Sequence, residues 1–369
     1  METQYPVDLD AIASPALLFR ESAIEKNLDL MVQLAGRPGR LRPHVKTHKC
    51  PVIITRHLDR GITKFKCATI AEAEMTARNG ASSVLLAKQP VGPDVERLIS
   101  LSRAHPNTEW IAIVDALEPF AALRQALEKS GDSLGVMIDV NCGMNRTGIQ
   151  PGPELESLYR AISTASNVKL KGLHVYDGHI HQSDLEERKQ ACHDALAPVY
   201  ESCKRLVEAG FERPHIVAGG SPTFSLHAQD SRVTECSPGT TVLWDFGYQD
   251  DYPDLPFEAA AFVMGRVISR LSEDRVCLDL GHKAISADKP QPRLRFRELP
   301  DAVFETHSEE HLVVQSPNCR NLKIGTRLLG IPQHICPTVS LYDYASIIND
   351  EDQVIARWSI EARSRRLSV

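Results

Sequence analysis

Leu41-Arg42-Pro43-His44-Val45-Lys46-Thr47-His48-Lys49-Cys50 sets five basic side chains in an apolar frame. Read as a strand, its alternation puts His44, Lys46 and His48 on one face, with Val45 and Thr47 opposite. Three basic groups on one face are costly to bury unless an anionic or catalytic group stands in front of them. A lysine crowded by other cations also has a lowered pKa, which suits Schiff-base chemistry. A solvated basic edge strand is the competing reading.

Working outward, Ser22 and Glu25 form a capping box for a first helix carrying Ile24, Leu28, Met31 and Leu34 on one face, ended by Gly36, Pro38 and Gly39. Downstream of residue 46 one rhythm repeats. Apolar strands are expected near 65–69, 83–87, 109–114, 134–140, 169–176, 215–220 and 241–245. Helices are expected near 52–59, 70–79, 93–104, 117–129, 153–165 and 185–209. Near-continuous apolar strands imply burial on both faces and a parallel sheet. With the 41–46 segment they make eight, which predicts an α/β fold built on a (β/α)8 TIM-type barrel. A doubly wound open sheet is the alternative, but no GxGxxG follows the first strand. Past residue 255 short strands separated by Gly, Pro, Asp and Asn predict a second, mainly β domain. The expected division is a barrel over 15–250 and a β domain over 251–369, with residues 1–14 packing on it or starting the barrel.

A hydrophobic content of 42% with 24% charged residues describes a globular chain, and a net charge of -6 argues against nucleic-acid or anionic-membrane partners. No apolar run reaches the length of a membrane-spanning helix, and the N-terminus has no signal-peptide pattern. The 9 cysteines, an odd number without CxxC pairs, fit reduced thiols and a cytoplasmic enzyme.

Barrel enzymes place function at the C-terminal ends of their strands. Those ends hold Lys46, Asp139–Gly148, the run His174-Val175-Tyr176-Asp177-Gly178-His179-Ile180-His181, and Gly219-Gly220-Ser221-Pro222-Thr223, with Cys236-Ser237-Pro238-Gly239-Thr240 before the eighth strand. The glycine pair followed by hydroxyls lets a backbone approach a phosphate, although alone it is an ordinary tight turn. Beside a candidate Schiff-base lysine it points to pyridoxal phosphate, which has both an aldehyde and a phosphate. In the β domain, His334 and Cys336 have the i, i+2 spacing that puts two donors on one face of an extended segment. Imidazole with thiolate favours zinc over manganese or magnesium, with His181 or Asp177 as candidates to complete the set.

Arg42–Lys49, Gly143–Gly148, Ala218–Thr223, Cys236–Thr240 and His334–Thr338, in that order and across nearly the whole chain, resemble the D-threonine aldolase/D-serine dehydratase family. That family belongs to the alanine-racemase-like, fold type III group of pyridoxal-phosphate enzymes. The resemblance implies Lys46 as the Schiff-base lysine, Arg146 at the cofactor phenolic oxygen and Tyr176 at the pyridine nitrogen. It implies Gly219, Gly220, Ser221 and Thr223 at the phosphate, and a divalent metal on His334 and Cys336 beside the substrate hydroxyl. It also implies a homodimer and a D-amino acid substrate. Aldolases of the family tend to carry His-x-Asp at the metal pair and dehydratases His-x-Cys, so Cys336 follows the second pattern. Retro-aldol cleavage is the expected reaction, with β-elimination as the alternative and racemisation third. A non-catalytic cofactor-binding protein would resemble the barrel alone. His179 and His181 are the candidate bases for a hydroxyl proton.

Overall fold

A computed structural model describes residues 5–369, and these divide into two compact units. One is made of residues up to Leu30, Thr47–Val52 and Thr240–Arg363; the other is made of Met31–Lys46, Ile53–Gly239 and Ser364–Val369.

In the second unit seven strands lie parallel in sequence order: β3 (Lys64–Cys67), β4 (Ser83–Leu86), β5 (Glu109–Val114), β6 (Leu134–Val140), β7 (Val168–Val175), β8 (Ile216–Ala218) and β9 (Glu235–Cys236). The ends of this sheet are joined by the basic segment itself. Leu41 bridges Cys236 and His44 bridges Lys66, both in parallel sense. Residues 41–44 thus stand as the eighth stave of the barrel. Only those residues pair, however. Val45–His48 form a turn, so the alternation expected to align His44, Lys46 and His48 does not operate. The strand expected at 241–245 is also absent. The eighth parallel position is already filled by 41–44, and Thr240–Val242 coil into a 3-10 turn that buries Val242, Leu243 and Trp244.

The crossovers follow the apolar periodicity closely: α2 (Pro51–Leu58), α3 (Ile70–Arg78), α4 (Pro93–Ala104), α5 (Leu117–Ser130), α6 (Pro153–Ser163) and α7 (Leu185–Glu208). Helix α3 is capped by Thr69, whose Oγ1 accepts from Glu72 N at 3.1 Å, while Glu72 Oε2 accepts from the preceding Ala68 N at 2.6 Å. Leu85, Ile111, Ile113, Met137 and Val217 pack together as a core cluster of this unit, each buried side chain stabilising by roughly 1.5–3 kcal/mol.

The first unit is built on a ten-stranded mixed sheet. It opens with β1 (Val7–Asp8) and β2 (Ala16–Arg20), then takes in β10 (Ala261–Arg270), β11 (Arg275–Leu278), β12 (Leu294–Phe296), β13 (Val303–His307), β14 (Leu312–Gln315), β15 (Arg327–Pro332), β16 (Tyr344–Ile348) and β17 (Gln353–Ser359). Strand β2 pairs antiparallel with β10 and parallel with β16, so the N-terminal residues are sheet partners of the C-terminal region. Leu9, Ile12, Ala16, Leu18, Met264, Ile348 and Val354 form its core. Strand β2 runs directly into α1 (Glu21–Ala35), so Ser22 is inside the helix and does not cap it; its hydroxyl donates to Asp350 at 2.6 Å. Among the described residues no helix is long and apolar enough to cross a membrane.

Candidate active site

The barrel gathers basic groups around one aromatic ring. Tyr176 follows the last residue of β7, and Lys46 Nζ lies 5.9 Å from its ring centroid. Arg146 Cζ stands 5.0 Å from the same centroid and Lys66 Nζ 5.5 Å. Lys46 is half-buried in the turn after the closing stave, where its N–H donates to His44 Nδ1 at 3.3 Å. Arg42 takes no part. It is buried, with Nε donating to Glu235 Oε2 at 2.5 Å and Nη1 to Ser83 at 3.1 Å, and so anchors the stave.

Carboxylates sit below this cluster, each committed to a neighbour. Asp139 Oδ1 and His174 Nδ1 are 2.7 Å apart across the β6–β7 pairing, and Thr147 donates to Asp139 Oδ2 at 2.8 Å. Burial would raise the Asp139 pKa, but these hydrogen bonds and the His174 charge hold it below the usual range. Burial lowers that of His174, against the pull of Asp139. Among the described residues, His174 Nε2 is buried without a hydrogen-bond partner. Asp177 accepts from Thr223 Oγ1 at 3.0 Å and from His227 Nε2, on the short α8 (Phe224–Gln229), at 2.6 Å.

The loop expected to meet a phosphate is tightly packed, and its amides are bonded to neighbours. A Cβ on Gly219 would stand 2.5 Å from His227 Cδ2, and one on Gly220 3.3 Å from Tyr176 Cε2, so the chain needs glycine at the first and is crowded at the second. Yet Gly219 N donates to Val175 O, Gly220 N to Thr223 Oγ1, and Gly239 N to Ser221 Oγ. With its proton on Asp177, Thr223 braces the loop. Among the described residues, the buried Ser237 hydroxyl has no hydrogen-bond partner. His179 is half-buried with Nδ1 unpartnered and its ring against Gly143, where a Cβ would come within 2.6 Å of Nε2; His181 is exposed.

His334 and Cys336 belong to the other unit. They are not on an extended segment: His334 caps α10 (Ile335–Val339), and Cys336 lies in its first turn. They still meet. Burial opposes the imidazolium, but hydrogen bonding and charge from Cys336 and Asp288 push His334 up to about 9. Asp288 Oδ2 is 2.6 Å from His334 Nδ1, and the Cys336 thiol is 3.1 Å from Thr47 Oγ1 and 3.5 Å from Thr240 Oγ1. In the same unit Asp245 caps α9 (Phe246–Asp251) by accepting from Tyr248 N, and also accepts from Ile335 N. It steadies the turn that carries the pair.

Reading by strand ends missed Lys66; it named Asp139, His174 and Ser237 but not the hydrogen bond that joins the first two. The signal for Lys66 was available: a lysine inside the short apolar run Phe65-Lys66-Cys67 must be buried.

Residues 20–245 match the family described as alanine racemase, N-terminal domain, and residues 260–348 match a putative serine dehydratase domain. The chain is 29% identical over 360 residues to a D-threonine aldolase of Arthrobacter sp, covering 96% of this chain and 94% of the relative. The crystal structure of D-threonine aldolase from Filomicrobium marinum superposes with a TM-score of 0.90 at 28% identity, covering 98% of both chains. A D-threo-3-hydroxyaspartate dehydratase in which a cysteine is replaced by alanine, solved in the metal-free form, shares the fold with a TM-score of 0.87 at 20% identity, over 98% of this chain and 100% of the other. With both segments matched in order and the likeness running the length of the chain, this protein belongs to the family of the alanine racemase N-terminal domain.

Proposed function

We propose that the protein is a pyridoxal-phosphate- and divalent-metal-dependent lyase that cleaves D-3-hydroxy amino acids to glycine and an aldehyde, as D-threonine aldolases do. The observation that carries this reading is the Lys46 amine facing the Tyr176 ring beside Arg146, at the strand ends of a barrel of this family. The residues fit such a cofactor. There is an amine for the aldehyde, a flat ring, a guanidinium for the phenolic oxygen, a glycine cradle and an unpartnered Ser237 hydroxyl for the phosphate.

Lys46 would hold the cofactor and Arg146 its phenolic oxygen; Tyr176 would meet its pyridine nitrogen, and Gly219, Gly220 and Ser221 would shape its phosphate pocket. When bound, the cofactor supplies a sink for the electron pair left on Cα as the Cα–Cβ bond breaks. His179 is the preferred acceptor of the 3-hydroxyl proton, since its Nδ1 is unsatisfied while His181 faces solvent. His334 and Cys336 would hold the metal, whose contribution is to polarise that hydroxyl. Zinc is favoured by the donor set. The nine cysteines are all free, eight of them buried, which suits a reducing compartment, the cytoplasm. A homodimer is the assembly we expect; light scattering giving twice the chain mass would support it, and the single mass would refute it.

The second reading, β-elimination to a 2-oxo acid and ammonia, rests on the cysteine in the His334–Cys336 pair. Product analysis on D-threonine with the metal-loaded holoenzyme separates the two. Glycine with acetaldehyde is expected; 2-oxobutyrate with ammonia would replace our reading with the second.

A further inference from the structure

Lys66 is the buried group that this mechanism leaves unused. It is 2% exposed, and its ammonium makes no hydrogen bond or ion pair to any described residue. Its backbone is joined to the Lys46 segment, with Lys66 N donating to Pro43 O at 2.9 Å and Val45 N donating to Lys66 O at 3.0 Å. Two lysines thus enter the pocket from adjoining backbones and end over one ring, 5.9 and 5.5 Å from the Tyr176 centroid.

We propose that Lys66 is a second carbonyl-reactive amine of this pocket, able to take the cofactor aldehyde when Lys46 does not hold it. In the reaction the Lys66 nitrogen adds to the aldehyde carbon, the carbonyl oxygen leaves as water, and a carbon–nitrogen double bond replaces the carbon–oxygen one. No oxidant or reductant is consumed. Only a neutral amine can make that attack. Burial, then the Lys46 charge, lower the Lys66 pKa to about 7, with Arg146 acting in the same direction and Asp177 and Asp139 opposing. Both carboxylates are already bonded elsewhere, Asp139 to His174 and Thr147 and Asp177 to His227 and Thr223, and give Lys66 no direct partner. Nothing else in the pocket fixes the Lys66 proton.

This inference rests on the cofactor reading given above, so its test carries wild-type protein in parallel. Wild type, Lys46→Ala and Lys46→Ala/Lys66→Met are each incubated with pyridoxal phosphate, reduced with borohydride, digested and mapped by mass spectrometry. Label is expected on Lys46 in wild type, on Lys66 in Lys46→Ala, and at neither position in the double variant. With the Lys46 charge gone and burial still acting, the Lys66 label should level off at a lower pH than that of ordinary lysines, which keep gaining reactivity into the alkaline range. An unlabelled Lys66 in folded Lys46→Ala, or in folded Lys46→Arg should the alanine variant not fold, overturns the proposal. Wild type without label on Lys46 overturns the cofactor reading, and this inference with it.

Discussion

Glu235, at the seam of the barrel, shows how a charge can be structural beside a site built of charges. Its carboxylate is 1% exposed and takes Arg42 Nε at 2.5 Å and Lys64 Nζ at 2.6 Å. Burial alone would raise its pKa, but His215, Arg42 and Lys64 hold it far below the usual glutamate range. Removing one partner of such a group leaves the other charge buried, so Glu235→Gln should cost about 3–5 kcal/mol in denaturant unfolding. The sign of the pH effect follows. A depressed carboxylate contributes fully above the unfolded value, about 4.3, and the contribution is lost as pH falls through the folded one. Unfolding midpoints of wild type should therefore drop on acidification below that value more steeply than those of Glu235→Gln; parallel curves would count against this role. Arg42 could be read from sequence as one of a basic cluster, but its separation from Lys46 could not. That depended on Glu235, 193 positions along the chain.

At the scale of elements, close approach between strands sets the sharpest constraints. Gly172 in β7 has φ +114°, and a Cβ there would lie 2.0 Å from His215 O. Gly210, after α7, has φ +92° with open space around it. Gly210→Ala should then cost only about 1–3 kcal/mol of backbone strain. Gly172→Ala should fail to give folded protein, because the clash is with backbone that a strand register holds in place. Circular dichroism of the two variants checks this; similar stabilities would contradict it. Most elements were legible, since helices α2 to α7 follow a 3.6-residue periodicity and the barrel strands read as continuous apolar runs. Strands β13 and β16 were not foreseen. Val303–His307 is largely exposed, so hydrophobicity does not mark it, and Tyr344–Ile348 pairs with the adjacent β17 and with β2, more than three hundred positions away.

For the whole molecule, the proposed cofactor residues and the proposed metal pair belong to different compact units, which predicts separable losses. Cys336→Ala, or chelation, should lower bound metal from about one per chain to near zero while borohydride still labels Lys46. Lys46→Ala should keep the metal while the label moves away from position 46. Loss of both groups in either variant, by elemental analysis and mass spectrometry, would show that the two sites do not fold independently. The sequence by itself determined the barrel and the β-rich remainder, because periodicity is a local property, and it nominated Lys46, Arg146, Tyr176, His334 and Cys336 through spacing and resemblance. The tertiary structure decided what those residues meet. It closed the barrel through residues 41–44, turned the 45–48 segment away from strand geometry and committed the Gly219 and Gly220 amides to neighbours. It also brought a buried Lys66 to the ring that Lys46 faces. Each of these depends on pairing between residues far apart in the chain, which spacing alone does not specify.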